Sequence, residues 1–273
     1  MATCSRHPDR ETGRACTRCG RPACADCLVQ AQVGSHCREC VRAAAPSVAP
    51  RARRLLDGRS IVAGKAIVAL TVGAFVVVTL VDGAMRAAGP AAERLALFGP
   101  AVADGEWWRL VTNALVHDGV FHLLFNMLVL YQVALVLEPA AGSLRFGLLY
   151  VVSVLGGAAG ALLLDPDAYT VGASGGVFGV AAAATLALHR RGARFSETAF
   201  GPLLLINFVF GFFVPNVSIG GHLGGLVAGL VAAEVMMQAR RLGRVRAGLV
   251  AVSCVGIAAA ALAFGAAGAS IPR

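Results

Sequence analysis

Charge is scarce in this chain. Of its 273 residues only 14% are charged and 57% are hydrophobic, where soluble domains carry roughly 25% charged residues. That shortage excludes a domain built for water. Acidic residues are the rarer sign, 15 against 24 Lys and Arg, which leaves a formal net charge of +9. Cysteine nearly vanishes after residue 41, with seven of the eight lying before that point. The first forty residues are polar and cysteine-rich, so no cleavable signal peptide is expected. Ionisable side chains are almost missing from the apolar stretches, which argues against a transporter with charge near the bilayer midplane.

What the chain has instead is apolar length. A helix crosses the hydrocarbon core with about 20 apolar residues, and seven candidate spans are expected at 61–81, 115–137, 146–164, 173–189, 198–214, 220–237 and 248–268. Before them, residues 1–41 form a polar module, and residues 42–60, rich in Ala, Pro and Arg, suit a linker meeting a membrane surface. The expected class is an all-α membrane protein with a small zinc-stabilised N-terminal module. The fourth to sixth spans are rich in Gly and Ala, so close backbone packing is expected there.

The basic excess has a place in this arrangement. Arg51, Arg53, Arg54, Arg59 and Lys65 precede the first span, Arg145 follows the second, Arg190, Arg191 and Arg194 follow the fourth, and Arg240, Arg241, Arg244 and Arg246 follow the sixth. The alternate segments carry Asp82, Glu93, Asp104, Glu106, Asp165 and Asp167, with Arg86, Arg94 and Arg109 as basic exceptions. The positive-inside rule then places the N-terminus in the cytoplasm and the C-terminal tail outside. The expected location is the cell membrane.

The module contains Cys4-x-x-His7, Cys16-x-x-Cys19, Cys24-x-x-Cys27 and Cys37-x-x-Cys40. These eight soft ligands are enough for two tetrahedral zinc ions. His36 is an alternative ligand to Cys37. A disulfide framework would need an oxidising compartment, and the topology puts the module in the reducing cytoplasm. So few apolar residues cannot form a core, so metal would supply the folding free energy. Six Arg stand against four acidic residues here, and seven thiolates with two zinc ions bring the net charge to about −1, unlike a phosphate-binding module. No nucleic acid is expected as partner; a cytoplasmic protein partner or a regulatory role is.

Polar side chains inside spans are costly, so each is a functional candidate. His122 and Asn126 lie at i and i+4 on the second span, with His117 about a turn and a half earlier. Interhelical hydrogen bonding is the plainer explanation of that trio. Gly172-Ala173-Ser174-Gly175-Gly176 opens the fourth span and fits the G-x-S-x-G pattern of hydrolases, although a nucleophile elbow needs a preceding strand and a soluble sheet. On the sixth span His222, Gly225 and Gly229 fall on one helical stripe, and tight packing on a neighbouring helix would bring the imidazole to that contact. Under the assigned topology all three clusters sit in the outer half of the membrane.

Together these residues resemble the rhomboid family of intramembrane serine proteases. The resemblance covers about residues 61–240, and is carried by Glu106-Trp107-Trp108-Arg109, His117, His122-x-x-x-Asn126, Gly172-Ala173-Ser174-Gly175 and His222-x-x-Gly225-x-x-x-Gly229. It implies a rhomboid-like bundle of six transmembrane helices, here with a seventh added. It also implies Ser174 as nucleophile and His222 as general base in a dyad with no third acidic member. Asn126, His122 and the Ser174 backbone N–H would hold the oxyanion. Gly225 and Gly229 would let the base helix lie against the nucleophile helix. Phe178 stands where the family often has a tyrosine stacked on the histidine, keeping the ring and losing the hydroxyl. Trp107 and Trp108 would anchor the outer loop in the interface, with Glu106 and Arg109 fixing it, and Glu138 would be structural.

Residues 4–40 separately resemble a B-box-type zinc finger. That resemblance implies a cross-brace joining Cys4 and His7 to Cys24 and Cys27, and Cys16 and Cys19 to Cys37 and Cys40. The domain expectation is therefore a zinc module at 1–41, a linker at 42–60, a protease core at 61–240 and a seventh helix with its tail at 241–273. Transmembrane proteins in the lipid bilayer are the expected substrates, and catalysis would use no cofactor. The alternative is a non-catalytic relative that binds membrane clients, a type that usually lacks the serine or the histidine.

Overall fold

The computed structural model describes residues 2–31, 34–44, 61–198, 200–211 and 217–269. The chain divides into two compact units, Met1–Gly58 and Arg59–Arg273. In the first, β1 (Ala2–Cys4) pairs antiparallel with β2 (His7–Thr12), and β3 (Leu28–Gln30) pairs antiparallel with β4 (Ser35–Cys37). A short helix α1 (Arg38–Ala44) follows β4 directly. The expected linker thus loses its first residues to α1, and its residues 45–60 lie outside the described residues.

The second unit is helical. Its long or apolar helices are α2 (Ala63–Asp82), α6 (Val120–Ala141), α7 (Ser143–Leu164), α8 (Ser174–His189), α9 (Phe200–Gly211), α10 (Ile219–Arg241) and α11 (Val245–Ala269). Three short helices, α3 (Pro90–Leu95), α4 (Gly99–Ala103) and α5 (Arg109–Thr112), build the loop between α2 and α6. Five helices among the described residues are long and apolar enough to cross a membrane, and α8 is a shorter apolar helix. Large side chains such as Leu70, Leu80, Phe121 and Ile257 stand exposed, as expected of a surface that meets lipid. This is the fold of a multi-pass helical membrane protein. The expected fifth span corresponds to α9 as far as it is described, since residues 212–216 lie outside the described set.

The boundary that bears most on the site is displaced. The second span begins at Val120, not 115, because Gly119 takes φ +95° and a 3-10 turn covers Asn113–Leu115. His117 consequently lies in the loop before α6, not on the helix with His122. A left-handed glycine cannot continue a right-handed helix.

Helix α7 is the centre of the bundle, packed by α10, α8 and α11. Glycine makes this possible, because a Cβ on Gly160 or Gly224 would overlap the backbone of Gly220 or Gly156 respectively. Near the other end of the bundle, the carboxylate of Glu138 on α6 accepts hydrogen bonds from the backbone N–H groups of Val62 (2.7 Å), Ala63 (2.9 Å) and Gly64 (2.8 Å), and from the Ser143 hydroxyl (2.6 Å). These are first-turn donors that α2 itself cannot satisfy, and a carboxylate there also meets the positive end of the helix dipole. Glu138 has the structural role expected of it.

Candidate active site and metal centre

Two helix starts carry the site. Ser174 is the first residue of α8, where a helix leaves its N–H groups without intrahelical acceptors. His222 lies in the first turn of α10, whose start is capped by Ser218, its hydroxyl accepting from the Gly221 N–H at 3.0 Å. The two side chains meet although 48 residues separate them, with His222 Nε2 2.9 Å from Ser174 Oγ. For the hydroxyl to donate to Nε2, the ring proton must sit on Nδ1, which is buried with no hydrogen-bond partner among the described residues. Among the described residues no carboxylate orients this imidazole. The Phe178 ring does so by stacking, 4.1 Å between centroids and 14° from parallel.

The glycines explain how the helices come so close. A Cβ on Gly225 would overlap the carbonyl oxygen of Gly175, and one on Gly229 would overlap the backbone of Gly179. Gly225→Val should therefore push α10 off α8 and cost about 2–3 kcal/mol by overpacking. Denaturant titration of the purified protein in detergent checks this, and an unchanged midpoint would contradict the packing argument.

The loop before Ser174 is fastened on every side. Gly172 N–H donates to the Asn113 carbonyl (2.9 Å), and Ala173 N–H donates to His117 Nε2 (3.3 Å). His117 Nδ1 in turn faces the Leu115 carbonyl at 3.4 Å, so this buried histidine supports the serine loop and does not line the cavity. Gly172 has φ +120°, and a Cβ there would come within 2.7 Å of the His122 ring. The missing side chain thus lets the His122 ring pack closely against the backbone that leads into the nucleophile. Its Nδ1 accepts from the Asp118 N–H (3.4 Å), which leaves Nε2 as the protonated, donating nitrogen. Asn126 uses one N–H on the His122 carbonyl (2.9 Å), and an amide has a second to give.

Ser174, His222, His122, Asn126 and Phe178 line one cavity of about 200 Å³. Trp108 and Arg109 are elsewhere, in the loop between α2 and α6. Arg109 is buried, pairs with Glu106 at 2.6 Å and donates to the carbonyls of Glu93 and Ala96. Trp108 Nε1 donates to the Arg94 carbonyl (3.4 Å), and Trp107 is exposed. Sequence reasoning missed Asn113 and Ser218, both at the cavity. Ser218 had a signal, a serine just ahead of an apolar helical run; Asn113 had none, since its part depends on a loop 59 residues further on, at Gly172.

In the first unit the eight ligands fall into two groups, Cys4, His7, Cys24, Cys27 and Cys16, Cys19, Cys37, Cys40, each with its ligand atoms within 4.8 Å of one another. Tetrahedral zinc with Zn–S near 2.3 Å requires sulfurs about 3.8 Å apart, and Cys19 and Cys37 are 3.8 Å apart. His7 Nδ1 sits 3.4 Å from both Cys24 and Cys27 and 3.9 Å from Cys4. The residues fit the ion. His36 belongs to neither group, so of the two alternatives it is Cys37 that joins the cluster.

The thiols themselves are divided. Backbone N–H donors, first of Cys24 and then Arg6, lower Cys4 to about 6, and the N–H of Cys37 does the same for Cys16. Burial raises Cys27 to about 11, and hydrogen bonds with Cys19 and Cys37 raise Cys40 to about 12. Four thiolates cannot share such a space without a cation among them, and a bound zinc ion would deprotonate them all.

The fold and the site define a multi-pass helical membrane protein in which a serine and a histidine meet in a partly open cavity. Residues 104–239 match the rhomboid domain family. The chain is 37% identical over 138 residues to the rhomboid protease GluP of Bacillus subtilis (strain 168), covering 50% of this chain and 27% of that protein. It is 36% identical over 141 residues to YdcA of the same organism, provisionally named a rhomboid protease, covering 50% of this chain and 71% of that one. It is also 32% identical over 152 residues to the inactive rhomboid-related protein 2 of Caenorhabditis elegans, covering 51% of this chain and 43% of that protein. This chain belongs to the rhomboid family, whose members are usually serine proteases. It spans about a quarter of the length of GluP.

Proposed function

We propose that this protein is an intramembrane serine endopeptidase that cuts membrane proteins in or near their transmembrane segments. The observation that carries the reading is the 2.9 Å contact of His222 Nε2 with Ser174 Oγ inside a cavity also lined by His122 and Asn126. His222 takes the Ser174 proton as Oγ bonds to the scissile carbonyl carbon, then returns it to the leaving amine. The developing oxyanion is held by Asn126, His122 Nε2–H and the Ser174 N–H. Water, deprotonated by His222, hydrolyses the acyl-enzyme and regenerates the serine. The relative named as inactive makes client binding without cleavage the competing reading, and the retained serine–histidine contact favours catalysis. A fluorophosphonate probe should label Ser174 in the purified wild-type protein, and failure to label any serine would overturn the proposal.

The domain reading proposed with it is a zinc module at 1–41, a linker at 42–60 into whose first residues α1 continues, a catalytic core at 61–240 and a seventh helix with its tail at 241–273. The charge distribution supports a cell-membrane protein with its N-terminus in the cytoplasm and Ser174 opening to the outer side. Two zinc ions in the module would be structural and would take no part in proteolysis. Elemental analysis of the purified full-length chain should find two zinc per chain, and Cys16→Ser should leave one. Stripping the metal should expose residues 1–44 to protease, because metal binding supplies about 10–16 kcal/mol in modules of this kind. A chain that purifies without zinc under reducing conditions would contradict this part.

A further inference from the structure

Helix α11 has no part in the proposed chemistry, yet it is not merely an appendage. Gly248, Val252, Gly256, Ala259, Ala263 and Ala267 form its buried face, while Val250, Ile257 and Leu262 on the other side are exposed. Its earlier part lies on α7, where Gly256 approaches Val152 and Leu155. Its later part meets α4, the short helix in the loop between α2 and α6. Ala263 and Ala267, both 0% exposed, belong to one apolar cluster with Leu97, Val102 and Leu110.

That cluster is the back of the segment that holds the serine loop. Leu97 exchanges both backbone hydrogen bonds with Thr170, at 3.0 and 2.9 Å. Gly99 N–H donates to the Pro166 carbonyl at 2.8 Å, and the Phe98 ring stacks on Tyr169 with centroids 4.4 Å apart. Two residues beyond Thr170 the chain enters Gly172-Ala173-Ser174. The buried cluster therefore joins α11 to Leu97 and Val102, Leu97 pairs with Thr170, and from there the backbone leads to the nucleophile. We infer that α11 is a positioning element: it presses α4 and Leu97 against residues 166–173 and so sets where Ser174 stands relative to His222. Ala263 and Ala267 are the positioning residues. Both are small and share one buried cluster with Leu97, Val102 and the α7 residues Ala158 and Leu162, and a close-packed cluster passes on the displacement that a larger side chain imposes.

The kinetic consequence rests on the proteolytic reading; the structural consequence does not. The test uses the full-length protein in detergent, with Ala263→Leu, Ala267→Leu, the lipid-facing controls Ile257→Ala and Leu262→Ala, and the compensating pair Ala263→Leu with Val102→Ala. Amide exchange across residues 166–173 should rise about tenfold in the two leucine variants and stay at the wild-type rate in the controls. On a single-span reporter, kcat should fall about tenfold with KM within about twofold, because the substrate still binds while the nucleophile is misplaced. The Val102→Ala partner should recover most of that loss by reopening the space. A merely destabilised bundle would instead lower the unfolding midpoint and leave exchange at 166–173 no faster than in the rest of the bundle. Unchanged exchange at 166–173 in both leucine variants overturns the inference, as does a loss that the compensating variant leaves untouched. A wild-type protein that cleaves nothing and resists the fluorophosphonate probe sinks the proteolytic reading, and the exchange measurement still decides the positioning.

Discussion

Replacing Ser174 with alanine should lower the cleavage of a single-span reporter by about four to six orders of magnitude, and His222→Ala should do the same. The two losses should not add. Ser174 Oγ and Nε2 of His222 share one hydrogen bond of 2.9 Å, and a nucleophile without its base is almost as inert as no nucleophile. The double variant should therefore match either single one. Asn126→Ala should be milder, about 100- to 1000-fold, because it removes one of several oxyanion donors. Ser174→Ala should keep the wild-type unfolding midpoint, whereas His222→Ala should lower it modestly, because it removes a buried ring stacked on Phe178. The decisive measurement is the rate constant for the reporter with purified enzyme in detergent. Cleavage by the Ser174→Ala variant at more than about one percent of wild type would mean that another residue does the chemistry.

The second large effect concerns stability. Glu138→Ala should destabilise the helical unit by about 4 kcal/mol, since several donors lose the acceptor they share and each buried unsatisfied group costs about 1–3 kcal/mol. The three N–H groups at the start of α2 and the Ser143 hydroxyl all converge on this one carboxylate, which is 2% exposed. Glu138→Gln should fall between wild type and alanine, because the amide oxygen can still accept while the charge opposite the helix dipole is gone. Equilibrium unfolding in mixed micelles checks the order Glu, Gln, Ala. If the glutamine variant proved as stable as wild type, the dipole part of the argument would fail; if alanine did too, the capping role would go with it.

Both effects pass through contacts of different visibility. The ends of α2, α7, α8, α10 and α11 fall within a few residues of the expected spans, because a run of apolar residues about 20 long has few other ways to satisfy its backbone in lipid. The zinc ligands were legible for a similar reason, as a two-residue spacing lets both members of a pair reach one ion. His117 was misplaced because hydropathy does not register a left-handed glycine, and Gly119 ends the apolar run conformationally without ending it chemically. Asn113 and the Leu97–Thr170 pairing were invisible, because each depends on a partner more than fifty residues away.

Composition and residue order alone decided that this chain is a helical membrane protein with a cysteine-rich head, and they singled out Ser174 and His222 as polar residues in an apolar setting. That much is local, set by the cost of burying polar groups in hydrocarbon. Only the tertiary structure decided that the two side chains meet, that His117 supports the serine loop, that Cys37 and not His36 completes its cluster, and that α11 packs on α4. Such outcomes turn on backbones packed so closely that a single added Cβ would not fit, as at Gly225 against Gly175. The helix-to-helix distance is a sum over many contacts, and no single residue along the chain carries it.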